Sequence, residues 1–249
     1  MANPTAAICI IGDEILSGRT KDKNIGWLAD QLTELGIQLT EARIIADVKE
    51  IIIRHITDLS NSNDYVFTSG GIGPTHDDIT TESVAQAFGV SVERNREALH
   101  RLEQHYKGTD IVLNEVRKKM ADIPIGATLI DNPVSAAPGF CLKNVYVMAG
   151  VPSIMQSMFD GIAPSLKKGT IPTRLTVQCQ TGEGNVAHIL EQISDRYETV
   201  SVGSYPWFKP GQFGTAVVLT GLDKNTVVKA ANELCVLVRQ SGYEAEDAV

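Results

Sequence analysis

The stretch YVFTSGGIGPTHDDITTE, which runs from Tyr65 to Glu82, decides the fold of this chain. Its apolar start, residues 65–67, predicts a buried strand, and glycines dominate the next segment, Gly70 to Pro74. Because glycine has no Cβ, successive backbone N–H groups after a strand can form a concave anion site. A helix that follows adds its positive N-terminal end. The sequence therefore predicts a phosphate-binding loop between a strand and a helix.

Two adjacent acids, Asp77 and Asp78, close this loop. Carboxylates repel a bare phosphate, so their presence favours a divalent cation such as Mg²⁺ between the carboxylate and phosphate oxygens. The alternative is structural: Asp78 caps a helix that begins at Ile79, and the glycines form only a turn. The loop alone leaves both interpretations open.

The composition is that of a soluble globular protein large enough for one large domain or two unequal ones. The chain has 249 residues, of which 43% are hydrophobic and 21% charged. Its net charge of −8 disfavours nonspecific nucleic-acid binding. No segment approaches the roughly 18 apolar residues of a membrane span. The four scattered cysteines predict buried thiols and no disulfide framework. We expect a cytoplasmic protein that binds neither nucleic acid nor membranes.

Polar or small residues also follow other runs that predict strands. Gly12 and Glu14 follow the first such run, Asp47 follows the second, and Gly150 follows a later one just before a helix start. Open α/β sheets bind ligands at the carboxyl ends of their strands. By residue type alone, however, Asp47 is better explained as the N-cap of the next helix.

Residues 67–80, FTSGGIGPTHDDIT, closely resemble the TGG-x-GP-x-x-DD-x-T loop of the molybdopterin-binding (MoaB/Mog) superfamily. Residues 12–18 resemble the G-[DNS]-E-[IL]-L-x-G opening of that superfamily. Residues 132–140 resemble its NPVGTAPGF segment, and residues 149–155 resemble its PGVPSEM helix start. Within the superfamily, the chain looks most like the N-terminal domain of the CinA family.

The resemblance implies a fold class of α/β, with a three-layer α/β/α domain over residues 1–166. After a linker, the strand and helix patterns of residues 172–249 follow a β-α-β-β-α order, which predicts a smaller α+β domain of ferredoxin-like type. Residues 202–206 resemble a segment shared by CinA and eukaryotic FAD synthase. CinA proteins often continue into a nicotinamide-nucleotide amidase domain, and this sequence ends before one, so amidase activity is not expected.

CinA-like domains are associated with metal-dependent hydrolysis of the pyrophosphate of ADP-ribose or a related dinucleotide. The resemblance then assigns catalysis to Asp78 and Asp47 and the divalent metal to Asp78 and Glu14. It implies substrate or phosphate binding by a larger set of residues: Gly12, Glu14, Asn24, Ser69, Gly70, Gly71, Gly73, Pro74, Thr75, Thr80, Asn132, Ser135, Pro138, Gly139, Gly150 and Ser153.

Two other functions stay open. The MoaB/Mog branch implies a molybdopterin ligand whose terminal phosphate binds the glycine-rich loop. A retained fold that binds a protein partner without catalysis is favoured by departures from the family pattern, at Ser135 and Ala136 and in the AGVPSIM helix start. The expected small-molecule ligand is a nucleotide or a pterin, and the protein is expected to be a homo-oligomer.

Overall fold

The structure, a computed structural model, describes residues 2–246. The chain divides into two compact units, Met1–Gly169 and Thr170–Val249. Helices in the described range are all too short or too polar to span a membrane. The four cysteines are free thiols, of which Cys141 is partly exposed and the others are buried. Burial raises the pKa of the Cys9 thiol to about 12.

The strands of the first unit are β1 (Thr5–Ile11), β2 (Gln38–Ile45), β3 (Tyr65–Ser69), β4 (Val92–Arg94), β5 (Asp122–Pro124), β6 (Thr128–Ile130), β7 (Gly139–Leu142) and β8 (Val145–Met148). Among residues 2–246, six of them form one sheet in the order β2-β1-β3-β8-β7-β6. The pairs within β2-β1-β3-β8 are parallel, whereas β7 and β6 pair antiparallel. Several parallel strands therefore end at the same edge of the sheet.

The helices of the first unit are α1 (Asp13–Leu16), α2 (Asn24–Glu34), α3 (Lys49–Ser62), α4 (Thr80–Ala87), α5 (Arg96–Tyr106), α6 (Glu115–Lys118) and α7 (Pro152–Ile162). Successive residues of β1 point to opposite faces of the sheet, as the period of a strand requires. Ala7 and Cys9 lie in one core with Ile56 of α3. Ile8 lies in the other core with Leu32 of α2. Both faces are covered, which confirms the three-layer α/β/α fold.

One predicted helix is much shorter than expected. The apolar spacing predicts a helix from Val112 to Met120, but the structure has only the four residues of α6 and a following 3₁₀ turn, Lys119–Ala121. The Asn114 side chain accepts a hydrogen bond from Arg117 N at 3.0 Å and so starts α6 there. Val112 lies outside the helix and is 73% exposed. Because this side chain is not packed in the core, it gives no burial that would stabilise a longer helix.

The second unit contains β9 (Thr173–Cys179), α8 (Glu183–Arg196), β10 (Val200–Lys209), β11 (Gln212–Gly221) and α9 (Lys224–Gln240). In its described part, the strands form an antiparallel sheet in the order β10-β11-β9. Ala245 pairs with Cys179 on the other edge of β9. This β-α-β-β-α order with a returning edge segment agrees with the predicted smaller α+β domain.

Candidate functional site

A cavity of about 490 Å³ lies at the carboxyl ends of β1, β3 and β8. This volume is in the range of small-molecule sites. Ten of the residues that the sequence proposes for the site line it: Gly12, Glu14, Asp47, Gly70, Gly71, Gly73, Asp78, Asn132, Ser135 and Gly150. The structure therefore brings loops from distant parts of the sequence to one place.

The glycine loop, Gly70–Asp78, needs its first two glycines because the backbone there is left-handed and closely packed. Gly70 and Gly71 have φ of +112° and +69°. A Cβ on Gly70 would overlap the carbonyl oxygen of Ile11, and one on Gly71 would overlap Thr80 Oγ1. Thr80 Oγ1 donates to the Gly70 carbonyl at 3.1 Å. These glycines are therefore required by contacts within the protein.

Three consecutive backbone N–H groups of this loop are free to bind a ligand. Among the hydrogen bonds of residues 2–246, none involves the N–H of Gly71, Ile72 or Gly73. All three residues line the cavity. All three residues are partly buried, so these N–H groups are available to solvent or to a ligand that supplies an acceptor. Successive N–H groups of this kind bind anions.

Asp78 holds the turn that closes the glycine loop. Its Oδ2 accepts hydrogen bonds from Thr75 N at 2.8 Å and Thr75 Oγ1 at 2.5 Å. The next helix begins at Thr80 with Ile79 as its N-cap, and no side chain caps it. The interpretation of Asp78 as an N-cap is therefore wrong. Its other oxygen, Oδ1, accepts no hydrogen bond from the described residues, and Asp77 lines the cavity beside it.

Asp47 links the second strand to the first loop. One oxygen of its carboxylate accepts the backbone N–H of Asp13 at 2.9 Å. Helix α3 begins later, at Lys49, with Val48 as its N-cap, so Asp47 does not cap it. Burial raises the pKa of the Asp47 carboxyl; the Asp13 hydrogen bond opposes this, and the charges of Asp13, Glu14 and Asp77 add to it.

The cavity gathers negative charge without a compensating cation. The carboxylates of Glu14, Asp47, Asp77 and Asp78 line it, and in the part of the chain that the structure describes no Lys or Arg does. No group of three or more His, Cys, Asp or Glu side chains is poised to hold a metal ion there or elsewhere in residues 2–246. Mg²⁺ is commonly held by one or two carboxylates together with substrate phosphates, so the oxygen donors present suit that ion.

The asparagine loop, Asp131–Pro138, forms another wall of the cavity and is held by one side chain. Asn132 Nδ2 donates to Ser135 Oγ at 2.7 Å and to the Ala137 carbonyl at 2.8 Å. Its Oδ1 accepts from the N–H groups of Val134 and Ser135, each at 3.1 Å. The side-chain amide of Asn132 therefore forms its hydrogen bonds within the loop. It fixes the shape of this cavity wall and leaves no free donor of its own for a ligand.

Behind the cavity, a buried hydrogen-bond network joins three elements. Asn24, which is 4% exposed, donates through Nδ2 to Ser69 Oγ at 2.8 Å and to the Gly150 carbonyl at 3.0 Å. Ser69 Oγ in turn lies 3.3 Å from the Ala149 carbonyl. The Oδ1 atom of Asn24 has no partner among the described residues. Asn24 thus ties the start of α2 to the ends of β3 and β8.

Comparison with known proteins assigns the family. A family model described as "Probable molybdopterin binding domain" matches residues 7–168. The chain belongs to this molybdopterin-binding domain family. A second model, described as "FAD synthase, middle domain", matches residues 173–247.

The relatives include a CinA-like protein and a CinA crystal structure. A CinA-like protein of Sulfurihydrogenibium sp. is 39% identical over 160 residues, 62% of this chain and 40% of that protein. A protein of Archaeoglobus fulgidus is 33% identical over 226 residues, 91% of this chain and 94% of that protein. The crystal structure of the protein CinA, of unknown function, from Thermoplasma acidophilum matches with a TM-score of 0.60 at 31% identity. That match covers 65% of this chain and 98% of the CinA chain. The chain is thus a CinA-like member of the MoaB/Mog superfamily.

Some residues that the family resemblance proposes lie outside the cavity lining. Thr75 donates to Asp78 within the glycine loop, and Thr80 donates to the Gly70 carbonyl from α4. Gly139 is packed against the Val147 carbonyl. Ser153 is exposed at the start of α7. Pro74 and Pro138 also lie off the cavity lining, whereas Asn24 and Ser69 line a smaller adjoining cavity.

Other lining residues were not proposed from the sequence, and most have no local signal. Thr20 and Met120 reach the cavity only through the fold, whereas Ile72 lies inside the glycine motif itself. Ala149 and Ile154, where the molybdopterin-binding family motif has a proline and an acid, also line the cavity. These two departures make the α7 side of the cavity apolar.

Proposed function

We propose that this protein is a divalent-cation-dependent hydrolase of a nucleotide pyrophosphate. The observation that supports the proposal is the cavity itself, where free N–H groups at residues 71–73 share one space with the carboxylates of Glu14, Asp47, Asp77 and Asp78. The N–H groups suit an anion, and the carboxylates disfavour one unless a cation lies between them.

Each group has a role in this proposal. The N–H groups of Gly71, Ile72 and Gly73 bind one phosphate. Glu14 and Asp78 hold the cation, which when bound neutralises phosphate charge and lowers the pKa of water. Asp47, whose pKa is raised by burial, accepts the proton of the attacking water. A new bond forms between the water oxygen and one phosphorus, the bridging P–O bond breaks, and the other phosphate leaves with its electron pair.

The nucleotide class is supported by the second unit and by the cavity wall. Residues 173–247 match the middle domain of FAD synthase, a protein whose name refers to a dinucleotide. Ile72, Met120 and Ile154 supply apolar lining beside the polar end, as a base or pterin ring requires. ADP-ribose and related dinucleotides combine such a ring with a pyrophosphate.

A second candidate is a molybdopterin-binding role without hydrolysis, as the description of the matching family suggests. The same N–H groups would then bind the terminal phosphate of the pterin. A third candidate, a partner-binding protein that lacks catalysis, is supported by Ala149 and Ile154 in the cavity wall. The sequence-based expectations of a cytoplasmic location and a homo-oligomer belong to this proposal as well.

The test is hydrolysis of ADP-ribose and FAD with Mg²⁺ or Mn²⁺, followed by chromatography of the products. Asp78→Asn keeps an oxygen that can accept the Thr75 hydrogen bonds but removes the charge. We expect wild-type turnover and a loss of about 10²–10³ in kcat for Asp78→Asn, the usual effect of removing one group that stabilises a charged transition state. The melting temperature should stay nearly unchanged.

Asp195→Asn is the matched control, because it makes the same chemical change at an exposed position of the second unit. It should retain wild-type turnover. Equal turnover by wild type and Asp78→Asn would remove the metal role from Asp78. No turnover of either substrate by wild type with either cation, together with tight binding of a pterin, would place the molybdopterin-binding role first.

A further inference from the structure

We propose that Lys119 is a positioning residue that holds the cation-binding turn of the glycine loop from behind. The inference rests on the proposed function of the cavity, because it concerns how Asp78 is presented to a divalent cation. Lys119 lies in the 3₁₀ turn Lys119–Ala121, far along the chain from the glycine loop, and neither its residue type nor its neighbours single it out in the sequence.

The ammonium group of Lys119 contacts both ends of the turn. Its Nζ donates to the Asp78 carbonyl at 2.8 Å and lies 3.5 Å from the Thr75 carbonyl. It also lies 3.6 Å from Glu82 Oε1 on α4, an ion pair. Of these contacts, the one to the Asp78 carbonyl is a hydrogen bond of ordinary length, the one to Thr75 is long, and the one to Glu82 is electrostatic.

The contacts leave the Asp78 carboxylate available. Within the turn, Asp78 N donates to the Thr75 carbonyl at 3.3 Å and Asp78 Oδ2 accepts from Thr75, while Lys119 binds only the main-chain carbonyls. A lysine that paired with the carboxylate itself would compete with a cation for it. Lys119 instead fixes the backbone that carries Asp77 and Asp78, as outer residues of metal sites orient the ligands.

The neighbouring lysine makes a contrast. Lys118 Nζ pairs with Glu115 Oε1 at 2.7 Å, one turn away on its own helix. Among the described residues, its ammonium makes no hydrogen bond or ion pair with the glycine loop. The two side chains are similarly exposed, at 30% for Lys118 and 29% for Lys119. Lys118→Met therefore removes the same charge from a neighbouring position but keeps the contacts of Lys119 with the Asp78 and Thr75 carbonyls.

An electrostatic role and a positioning role of Lys119 predict opposite effects of its removal on the affinity for a divalent cation. Loss of a positive charge near acidic groups makes the local potential more negative and strengthens binding of a divalent cation. Loss of the Lys119 contacts with the turn makes the turn more mobile and weakens cation binding, typically by about 10–100-fold for outer residues that orient metal ligands. The sign of the change therefore separates a positioning role from a merely electrostatic one.

The experiment measures Mn²⁺ binding by electron paramagnetic resonance, with Mn²⁺ alone and with Mn²⁺ plus AMP, for wild type, Lys119→Met, Lys118→Met and Lys119→Arg. We expect Lys119→Met to bind Mn²⁺ about tenfold more weakly than wild type. Lys118→Met should match wild type or bind slightly more tightly. Lys119→Arg, which keeps the charge and donors, should recover most of the affinity.

Hydrogen exchange of the metal-free protein supplies a second readout. The amide of Asp78 should exchange at least about tenfold faster in Lys119→Met than in Lys118→Met, because opening of the turn needs less free energy. Unchanged exchange, or Mn²⁺ binding that tightens in Lys119→Met, would overturn the positioning role while the proposed function stands. Wild-type protein that binds no Mn²⁺ with or without AMP would overturn both; a failure of hydrolysis alone would overturn only the proposed function.

Discussion

The glycine loop and the asparagine loop line the same cavity but use their polar groups in opposite ways. The glycine loop leaves the N–H groups of residues 71–73 without partners and is held from outside, by Thr80 and Lys119. In the asparagine loop, by contrast, Asn132 forms four hydrogen bonds, all within the loop itself. One loop is arranged to receive a ligand, and the other is arranged to keep its shape.

This difference shows why lining a cavity does not by itself indicate ligand binding. A buried polar group is normally satisfied, so a free donor needs an external partner and a satisfied one does not. By this criterion the anion-binding role that we propose belongs to the backbone of the glycine loop. Asn132 contributes through the shape of its loop. Substitutions in each loop should therefore separate ligand binding from stability.

The largest expected effect is that of Gly71→Ala. The alanine must adopt φ of +69°, at a cost of about 1–2 kcal/mol. Its Cβ must also displace Thr80 Oγ1, which supports the loop, and such overpacking costs about 1–3 kcal/mol. We expect the free energy of unfolding, measured with urea, to fall by about 2–5 kcal/mol and binding of inorganic pyrophosphate with Mg²⁺ to be lost.

Gly89→Ala is the matched control for this change. Gly89 has nearly the same backbone conformation, with φ of +68°, and has open space where a Cβ would lie. It should therefore lose only the conformational part, about 1–2 kcal/mol, and keep ligand binding. Equal losses for the two variants would show that contact with Thr80 does not require glycine at position 71.

Asn132→Ala should differ from Gly71→Ala in one respect: we expect a loss of stability with ligand binding retained. The change removes the four side-chain hydrogen bonds of the loop, all of them part-buried, at a cost of about 1–3 kcal/mol. Calorimetric binding of pyrophosphate with Mg²⁺ at a temperature where the variant stays folded should be within about threefold of wild type. A loss of binding at unchanged stability would instead assign Asn132 to the ligand.

Asn132→Asp separates the contribution of the Asn132 oxygen, which accepts hydrogen bonds, from that of its nitrogen, which donates them. An aspartate keeps the acceptor for the N–H groups of Val134 and Ser135 but loses the donor to the Ala137 carbonyl. We therefore expect an intermediate stability above about pH 5, where the carboxylate faces that carbonyl. Recovery at lower pH, as the new acid gains a proton, would identify the donor as the missing part.

Much of the first unit could be predicted from its sequence because its elements are long enough to show a period. The runs that became β1, β3 and β8 are mainly apolar, as buried parallel strands require, and ligand loops follow them. The edge strand β2 is mixed, with polar residues among apolar ones, and most of it is exposed. The three-residue strands β4 and β5 were missed, because so few residues show no alternation. The domain bounds of 1–166 and 172–249 stay a prediction, which limited proteolysis between them tests.

The roles of the acids could not be predicted from residue type. Asp47 and Asp78 each follow the pattern of an N-cap, and in neither case does the helix begin where capping requires. Their hydrogen bonds go to Asp13 and Thr75, and the first of these residues belongs to a loop 34 positions away. Such a partner is set by the parallel pairing of β1 with β2 and has no local signal.

Asp47→Asn tests the negative charge of the Asp47 carboxylate, which lines the cavity. Its effect on stability should be smaller than those of Gly71→Ala and Asn132→Ala. Because the folded protein raises the pKa of Asp47 above 3.8, native protein binds this proton more tightly than unfolded chain. Stability is then lost as the pH rises from 3.8 through the raised pKa. At pH 7 we expect Asp47→Asn to melt at a slightly higher temperature than wild type, with hydrolysis impaired.

Melting temperatures measured across this range check the sign. The difference between Asp47→Asn and wild type should shrink as the pH falls towards 3.8 and vanish below it. The asparagine still accepts the Asp13 N–H, so the loop geometry is kept. A variant that is less stable than wild type at pH 7 would show that the carboxylate gains more from this hydrogen bond than it loses by burial near other acids.

The smallest effect is expected within the asparagine loop, at Ala136. This residue has φ of +60°, a left-handed conformation that costs a residue with a Cβ about 1–2 kcal/mol. Ala136→Gly removes that cost but gives the unfolded chain more freedom, worth about 0.4–1 kcal/mol in the opposite direction. We therefore expect a net gain of about 0.5 kcal/mol in the free energy of unfolding, measured with urea, and unchanged pyrophosphate binding. Lys143→Gly is the comparison for this change, because Lys143 also has a left-handed backbone, with φ of +55°. Its ammonium lies 4.5 Å from the centre of the Phe88 ring, and Lys143→Gly would lose that contact. The free energy of unfolding of Lys143→Gly should therefore show no gain. A loss of stability in Ala136→Gly would mean that Asn132 does not hold the loop by itself and that the alanine methyl is part of the support.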